Sequence, residues 1–152
     1  GRLSVPSFLT HSALNTPDTD FFAGDMVPGA PMDDAPVQRG GQDSWLLDQL
    51  GNRFQCLLFV DAATGVSDTQ RAALAALAAE PIAVQALLVS PAPLAAEPLP
   101  VLVDSQGLVA RRYDSRPGTT YLVRPDQHVA ARWRAFDAAA VRAAVARATC
   151  NA

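Results

Sequence analysis

The sequence predicts an α/β fold: a central mixed sheet with helices on both faces, preceded by an extended proline-rich arm. Three observations carry that reading. Residues 54–60 and 82–89 are nearly continuous apolar runs, as expected of strands buried on both faces, and helical patterns lie between and after them. A turn, Arg124-Pro125-Asp126-Gln127, separates two further strand-like runs. Five of the 12 prolines crowd into residues 1–43.

Those five, Pro6, Pro17, Pro28, Pro31 and Pro36, are joined by Gly24, Gly29, Gly40 and Gly41. Proline fixes φ and removes a backbone donor, so this stretch is expected to be neither a long helix nor a central strand. Phe8, Leu9, Leu14, Phe21, Phe22, Met26 and Val27 make it too apolar for a solvated linker. It reads as an arm that packs on a surface, either its own domain or a neighbour.

Residues 44–152 read as the compact domain. Trp45 to Leu50 form a short helical turn closed by Gly51, a usual residue just past a helix end. Residues 54–60 follow as the first buried strand. Ser67-Asp68-Thr69-Gln70 is a capping box, opening a helix through Ala73, Leu74 and Leu77 that Pro81 ends. The second strand, 82–89, leads into a loop holding Pro91, Pro93, Pro98 and Pro100, then the short apolar segment Val101-Leu102-Val103. Asp104 is expected to cap a brief helix through Leu108 and Val109 to Tyr113. Thr120-Tyr121-Leu122-Val123 and residues 128–133 form the hairpin. In its second strand, alternation places Val129, Ala131 and Trp133 on one face and His128 and Arg132 on a polar one. Asp137 caps a last helix whose Val141, Ala144, Val145 and Ala148 make an apolar stripe, with Arg142 and Arg147 on its other faces. The order β-α-β-α-β-β-α implies parallel pairing with an antiparallel edge, the thioredoxin-like arrangement.

Bulk properties exclude several functions. At 152 residues the chain suits one domain, and 49% hydrophobic with 18% charged residues makes it globular. A net charge of −3 gives no electrostatic basis for holding nucleic acid or an anionic membrane. No apolar run approaches the ~20 residues that span a bilayer. Cys56 and Cys150 form no CxxC pair, which signals neither a metal cluster nor a disulfide framework and fits a reducing compartment, hence the cytoplasm. Gly1-Arg2-Leu3-Ser4 lacks both a secretory pattern and a starting Met, as expected if the chain begins inside a larger protein.

The chemistry of this fold normally needs a thiol after the first core strand, at a helix N-terminus that lowers its pKa. Asp61-Ala62-Ala63-Thr64-Gly65-Val66-Ser67 occupies that place and contains no cysteine. Cys56 lies inside the strand, where a core role is expected. Cys150, near the chain end, reads as inert. His11 and His128 lack companions at metal-ligand spacing, and His128 reads as a solvated strand residue. Asp18, Asp20, Asp25, Asp33 and Asp34 follow no metal-loop pattern and read as solvated turn formers. Arg111, Arg112, Arg116, Arg124, Arg132 and Arg134 read as a solvated basic face, with docking of an acidic neighbour as the alternative. Tyr121 and Trp133 read as core, with a shared ligand pocket as the alternative. Gly24-Asp25 before Pro28 lacks the strand and the His of a flavin-binding Gly-Asp motif, and neither GxGxxG nor a P-loop occurs. The residues therefore assign no catalytic, cofactor-binding or metal site.

Three stretches nevertheless form a recognisable series. They are Ser12-Ala13-Leu14-Asn15-Thr16-Pro17-Asp18; Val27-Pro28-Gly29-Ala30-Pro31 with Asp34-Ala35-Pro36-Val37, Trp45-Leu46-Leu47-Asp48 and Leu50-Gly51; and Tyr121-Leu122-Val123-Arg124-Pro125-Asp126-Gln127-His128-Val129-Ala130 with Arg132. In them the chain resembles the C-terminal thioredoxin-like domain of FAD-dependent aromatic-ring hydroxylases, the group containing phenol hydroxylase and hydroxyphenylpropionate hydroxylase. The resemblance implies a parent monooxygenase that reduces FAD with NAD(P)H and places one oxygen atom of O2 on a phenolic ring. It implies no cofactor in this fragment and no catalytic residue. Residues 1–43 would be the linker from a missing FAD domain, and the partners would be the parent's FAD and substrate domains or a second subunit. The alternatives are a stand-alone thioredoxin-fold binding module and, against the missing cysteine, a thiol oxidoreductase or peroxiredoxin.

Overall fold

Seven strands form one sheet in the computed structural model, which describes residues 10–151. Pro6, Phe8 and Leu9 of the arm lie outside the described residues. The strands are β1 (Pro36–Arg39), β2 (Gln42–Trp45), β3 (Phe54–Phe59), β4 (Val84–Ser90), β5 (Val101–Val103), β6 (Thr120–Val123) and β7 (Val129–Trp133). Their spatial order is β2-β1-β5-β4-β3-β6-β7. β3 is parallel to β4 and β4 to β5, whereas β6 runs antiparallel to both β3 and β7. The helices are α1 (Asp68–Ala78), α2 (Leu108–Arg112) and α3 (Ala138–Ala148), with a 3₁₀ turn at Leu46–Gln49. Among the described residues no helix is long and apolar enough to cross a membrane.

The capping box is present: Ser67 Oγ accepts from Gln70 N, and Gln70 Oε1 accepts from Ser67 N. Asp137 accepts from Ala139 N and Ala140 N at the start of α3. Asp104 caps α2 from four residues before Leu108, its two oxygens accepting from Val109 N and Ala110 N across the left-handed Gly107.

The period-2 alternation of the strands divides the interior in two. On one face α1 and α3 cover Cys56, Leu58, Leu88, Leu122 and Trp133. On the other, Leu57, Phe59, Leu87, Val89 and Tyr121 meet α2 and the arm's Phe22, Met26, Ala30, Met32 and Ala35. A five-residue α2 is too small to cover that face alone, so the arm completes the layer.

Two sequence expectations are corrected here. The stretch up to residue 43, expected to hold no central strand, contributes β1, an interior strand between β2 and β5. Pro36 stands at its first position, where a missing donor costs the ladder least. The alternation of β7 is broken: Val129 pairs with Val123 and Ala131 with Leu122, so Ala130 is an extra, bulged residue. The bulge turns Val129 to the arm's face with Arg132 and leaves Ala131 and Trp133 facing α3. The expected polar face does not exist, because every residue of β7 is buried.

Candidate functional site

Two places can carry function: the thiol position at the end of β3, and the seam where the arm meets the sheet. At the first, Asp61 folds the loop back on itself. Its Oδ1 accepts from Ala63 N at 2.7 Å and its carbonyl from Gly65 N at 2.7 Å. Gly65 holds φ +56, a conformation that costs glycine least. The loop borders a cleft of about 320 Å³ lined by Asp61, Thr64, Ser67, Gln70 and Pro117, with no sulfur. Ser67 Oγ is already engaged in the cap. A serine nucleophile also needs a base within hydrogen-bond reach. His128 cannot serve, because it lies by the β6–β7 turn against Asp126, and Val123 before that turn pairs with Gln55 at the opposite end of β3. His128 is thus held between Asp126 and the arm, bridging to Pro31, rather than solvated.

Cys56 sits inside β3, fully buried, and burial pushes its thiol up to about 12. Such a thiol is protonated at neutral pH and does not attack. At ~3.3 Å per residue it stands about 16 Å from Asp61. Cys150 is exposed just past α3. Among the described residues no group of three or more His, Cys, Asp or Glu could hold a metal.

The seam is where the expected solvated charges are found. Arg132 is only 3% exposed, and its guanidinium meets the Asp18 carboxylate through Nη2 at 2.7 Å and Nε at 3.0 Å. Asp20 accepts from Arg134 N at 3.0 Å. Arg134 donates from Nε to the Phe21 carbonyl at 3.1 Å and from Nη2 to Asp114 at 2.6 Å. Asp114 also accepts from Ala23 N, and these contacts hold its carboxyl below the usual range. The Phe22 ring lies under both guanidinia, 4.4 Å from that of Arg132 and 3.7 Å from that of Arg134, and forms a T-shaped pair with Tyr121. Further along, the Tyr113 hydroxyl donates to the Asp33 carbonyl, Arg112 donates to that of Asp34, and Asp34 Oδ1 accepts from Leu47 N.

Backbone bonds complete the seam. Thr16 N donates to Ala130 O, Gly29 N to Val129 O, Val129 N to Ala30 O and Met32 N to Gln127 O. The arm therefore occupies the edge of β7 much as another strand would. The other edge, β2, carries Trp45 at 52% exposure.

Arg132 and Arg134 thus dock an acidic neighbour that is the arm itself, not solvent, and Asp18, Asp20 and Asp34 are docking groups rather than solvated turns. Tyr121 and Trp133 fall on opposite faces of the sheet and cannot share a pocket. The seam had a readable signal. Asp18 and Asp20 are two apart, as are Arg132 and Arg134, which is the repeat of extended chain.

A family model described as HcaD C-terminal domain matches residues 33–148. A comparison with curated protein sequences finds no match. Among solved structures, the chain is similar to the flavin-dependent monooxygenase PieE, determined with FAD and substrate, at 23% identity and a TM-score of 0.67, over 93% of this chain and 25% of that one. Aklavinone-11 hydroxylase, determined with FAD and aklavinone, gives 23% identity and a TM-score of 0.67 over 91% of this chain and 25% of that one. A putative thiol:disulfide interchange protein DsbE from Chlorobium tepidum gives 17% and 0.60, over 85% of this chain and 99% of that one. The chain spans about a quarter of the length of the two monooxygenases. At these identities the likeness is one of fold, and the fold is thioredoxin-like.

Proposed function

The chain belongs to the HcaD C-terminal domain family, and from that premise we propose that it is the non-catalytic accessory domain of a FAD-dependent, NAD(P)H-using aromatic monooxygenase. The observation that carries the reading is the thiol position. The loop after β3 is well formed and capped, yet it holds no sulfur and no histidine, and both cysteines stand elsewhere. A fold kept without its reactive group is suited to holding other domains in place. The likeness to two FAD-bound monooxygenases over nearly all of this chain supports the same reading. Flavin, nicotinamide and ring substrate would bind in the remainder of the parent, and the partners of this module are those domains.

The test is direct. The purified 152-residue chain is expected to be colourless, to retain no FAD after dialysis and to turn over neither peroxide nor disulfide. A flavin absorbance spectrum would overturn the accessory role. Disulfide reduction abolished by Cys56→Ser would establish the thiol-enzyme reading instead. Saturable quenching of Trp45 or Trp133 by phenols would favour a binding module.

A further inference from the structure

Phe21 and Phe22 are neighbours with opposite fates. Phe22 is buried at 9% exposure, while Phe21 stands at 83%, the most exposed large apolar side chain among the described residues. A loose loop would account for that, but this backbone is fixed on both sides. Asp20 is held by Arg134 N, the Phe21 carbonyl by Arg134 Nε, the Phe22 ring by two guanidinia and Ala23 N by Asp114. The chain thus presents one aromatic ring to solvent on a rigid mount. A pre-positioned aromatic that loses little freedom on contact is the kind of residue that dominates interfaces.

We infer that Phe21 is the anchor by which this module packs against the domain that precedes it in a longer chain, entering an apolar pocket with a basic rim. The inference rests on the proposed function. The occupant follows from two observations. The matching family is a C-terminal domain, so the rest of such a chain joins through the arm that carries Phe21. Asp20 precedes Phe21 in the chain and Asp25 follows four residues on, both exposed, so the complementary pocket carries cations at its edge.

The experiment is hydroxyl-radical footprinting of Phe21 in the full-length protein from the source cells and in the 152-residue chain. Oxidation at least ten-fold slower in the full-length protein is the expected result. Equal rates overturn the inference while leaving the proposed function standing. If the source cells hold only a 16.0 kDa species, both fail together. Phe21→Ala in the full-length protein is expected to speed proteolytic separation of the module about 30-fold, the scale of an interface hot spot. Because the ring is exposed, that substitution does not disturb the module's own fold. Asp25→Lys is expected to speed separation in the same direction, most at low salt. If both variants separate at the wild-type rate, Phe21 is not an anchor.

Discussion

Replacing Phe22 by Ala tests whether the arm is part of the fold. The ring is buried, makes an edge contact with Tyr121 at 5.9 Å and lies under two guanidinia. Removing a buried phenylalanine costs about 3–5 kcal/mol, and the two cation–π contacts together add about 1–2 kcal/mol. For a chain of this length each kcal/mol moves the midpoint about 2–4 °C, so a total loss of about 4–7 kcal/mol should lower Tm by about 8–28 °C. Phe21→Ala is the internal control: same residue type, adjacent position, side chain in water. It should change stability by no more than ~0.5 kcal/mol. Urea unfolding followed by Trp fluorescence, with calorimetry, measures both. Equal, small effects of the two substitutions would refute the claim that the arm forms a layer of the core.

Four further outcomes follow from the structure. Asp18→Asn should cost about 2–3 kcal/mol by denaturant titration, because it leaves the buried Arg132 charge without its carboxylate. A chain beginning at residue 44 should fail to give a cooperative transition, since it lacks β1 and the five arm residues in the core; sharp unfolding of that truncation would show the arm to be peripheral. With a thiol reagent at pH 8, one cysteine, Cys150, should react in the folded chain and both in urea. The Cys56 thiol is raised from 9.0 to about 12 by burial, so the folded state holds a proton that the unfolded state releases. Stability from this group is whole below pH 9 and declines above it by about 1.4 kcal/mol per pH unit. Cys56→Ala should lessen the slope measured between pH 9 and 10, before the buried tyrosines contribute.

The sequence announces those parts of this protein whose signals are local. The capping box at Ser67, the Asp137 cap, the two apolar strands and the Pro125-Asp126 turn are each set by neighbours in the chain, and all appear as expected. The missing thiol is equally legible, because an absent residue type needs no coordinates. What composition misjudged was the arm. Proline and glycine correctly exclude a helix, but they say nothing about where an extended chain lies. Pro36 at a strand start and a bulge at Ala130 are small departures, yet between them they decide which side chains face the arm.

The charges were misjudged for a related reason. Asp18 and Arg132 are 114 residues apart, and an acidic residue in a proline-rich stretch has the same composition whether it meets water or a guanidinium. Only the matched spacing of Asp18 and Asp20 with Arg132 and Arg134 distinguished the two cases. That match also bears on the proposed function. A linker that merely joined two domains would need no partner for its acids and no burial for Phe22. An arm bonded to β7, Asp114 and the end of α2 is fixed along its described path. Loosening the seam by Asp18→Asn should therefore raise hydrogen exchange at Thr16 and Gly29, whose amides close the β7 edge. Unchanged exchange at those two amides would mean the backbone bonds alone fix the arm and the charges are ornamental to it.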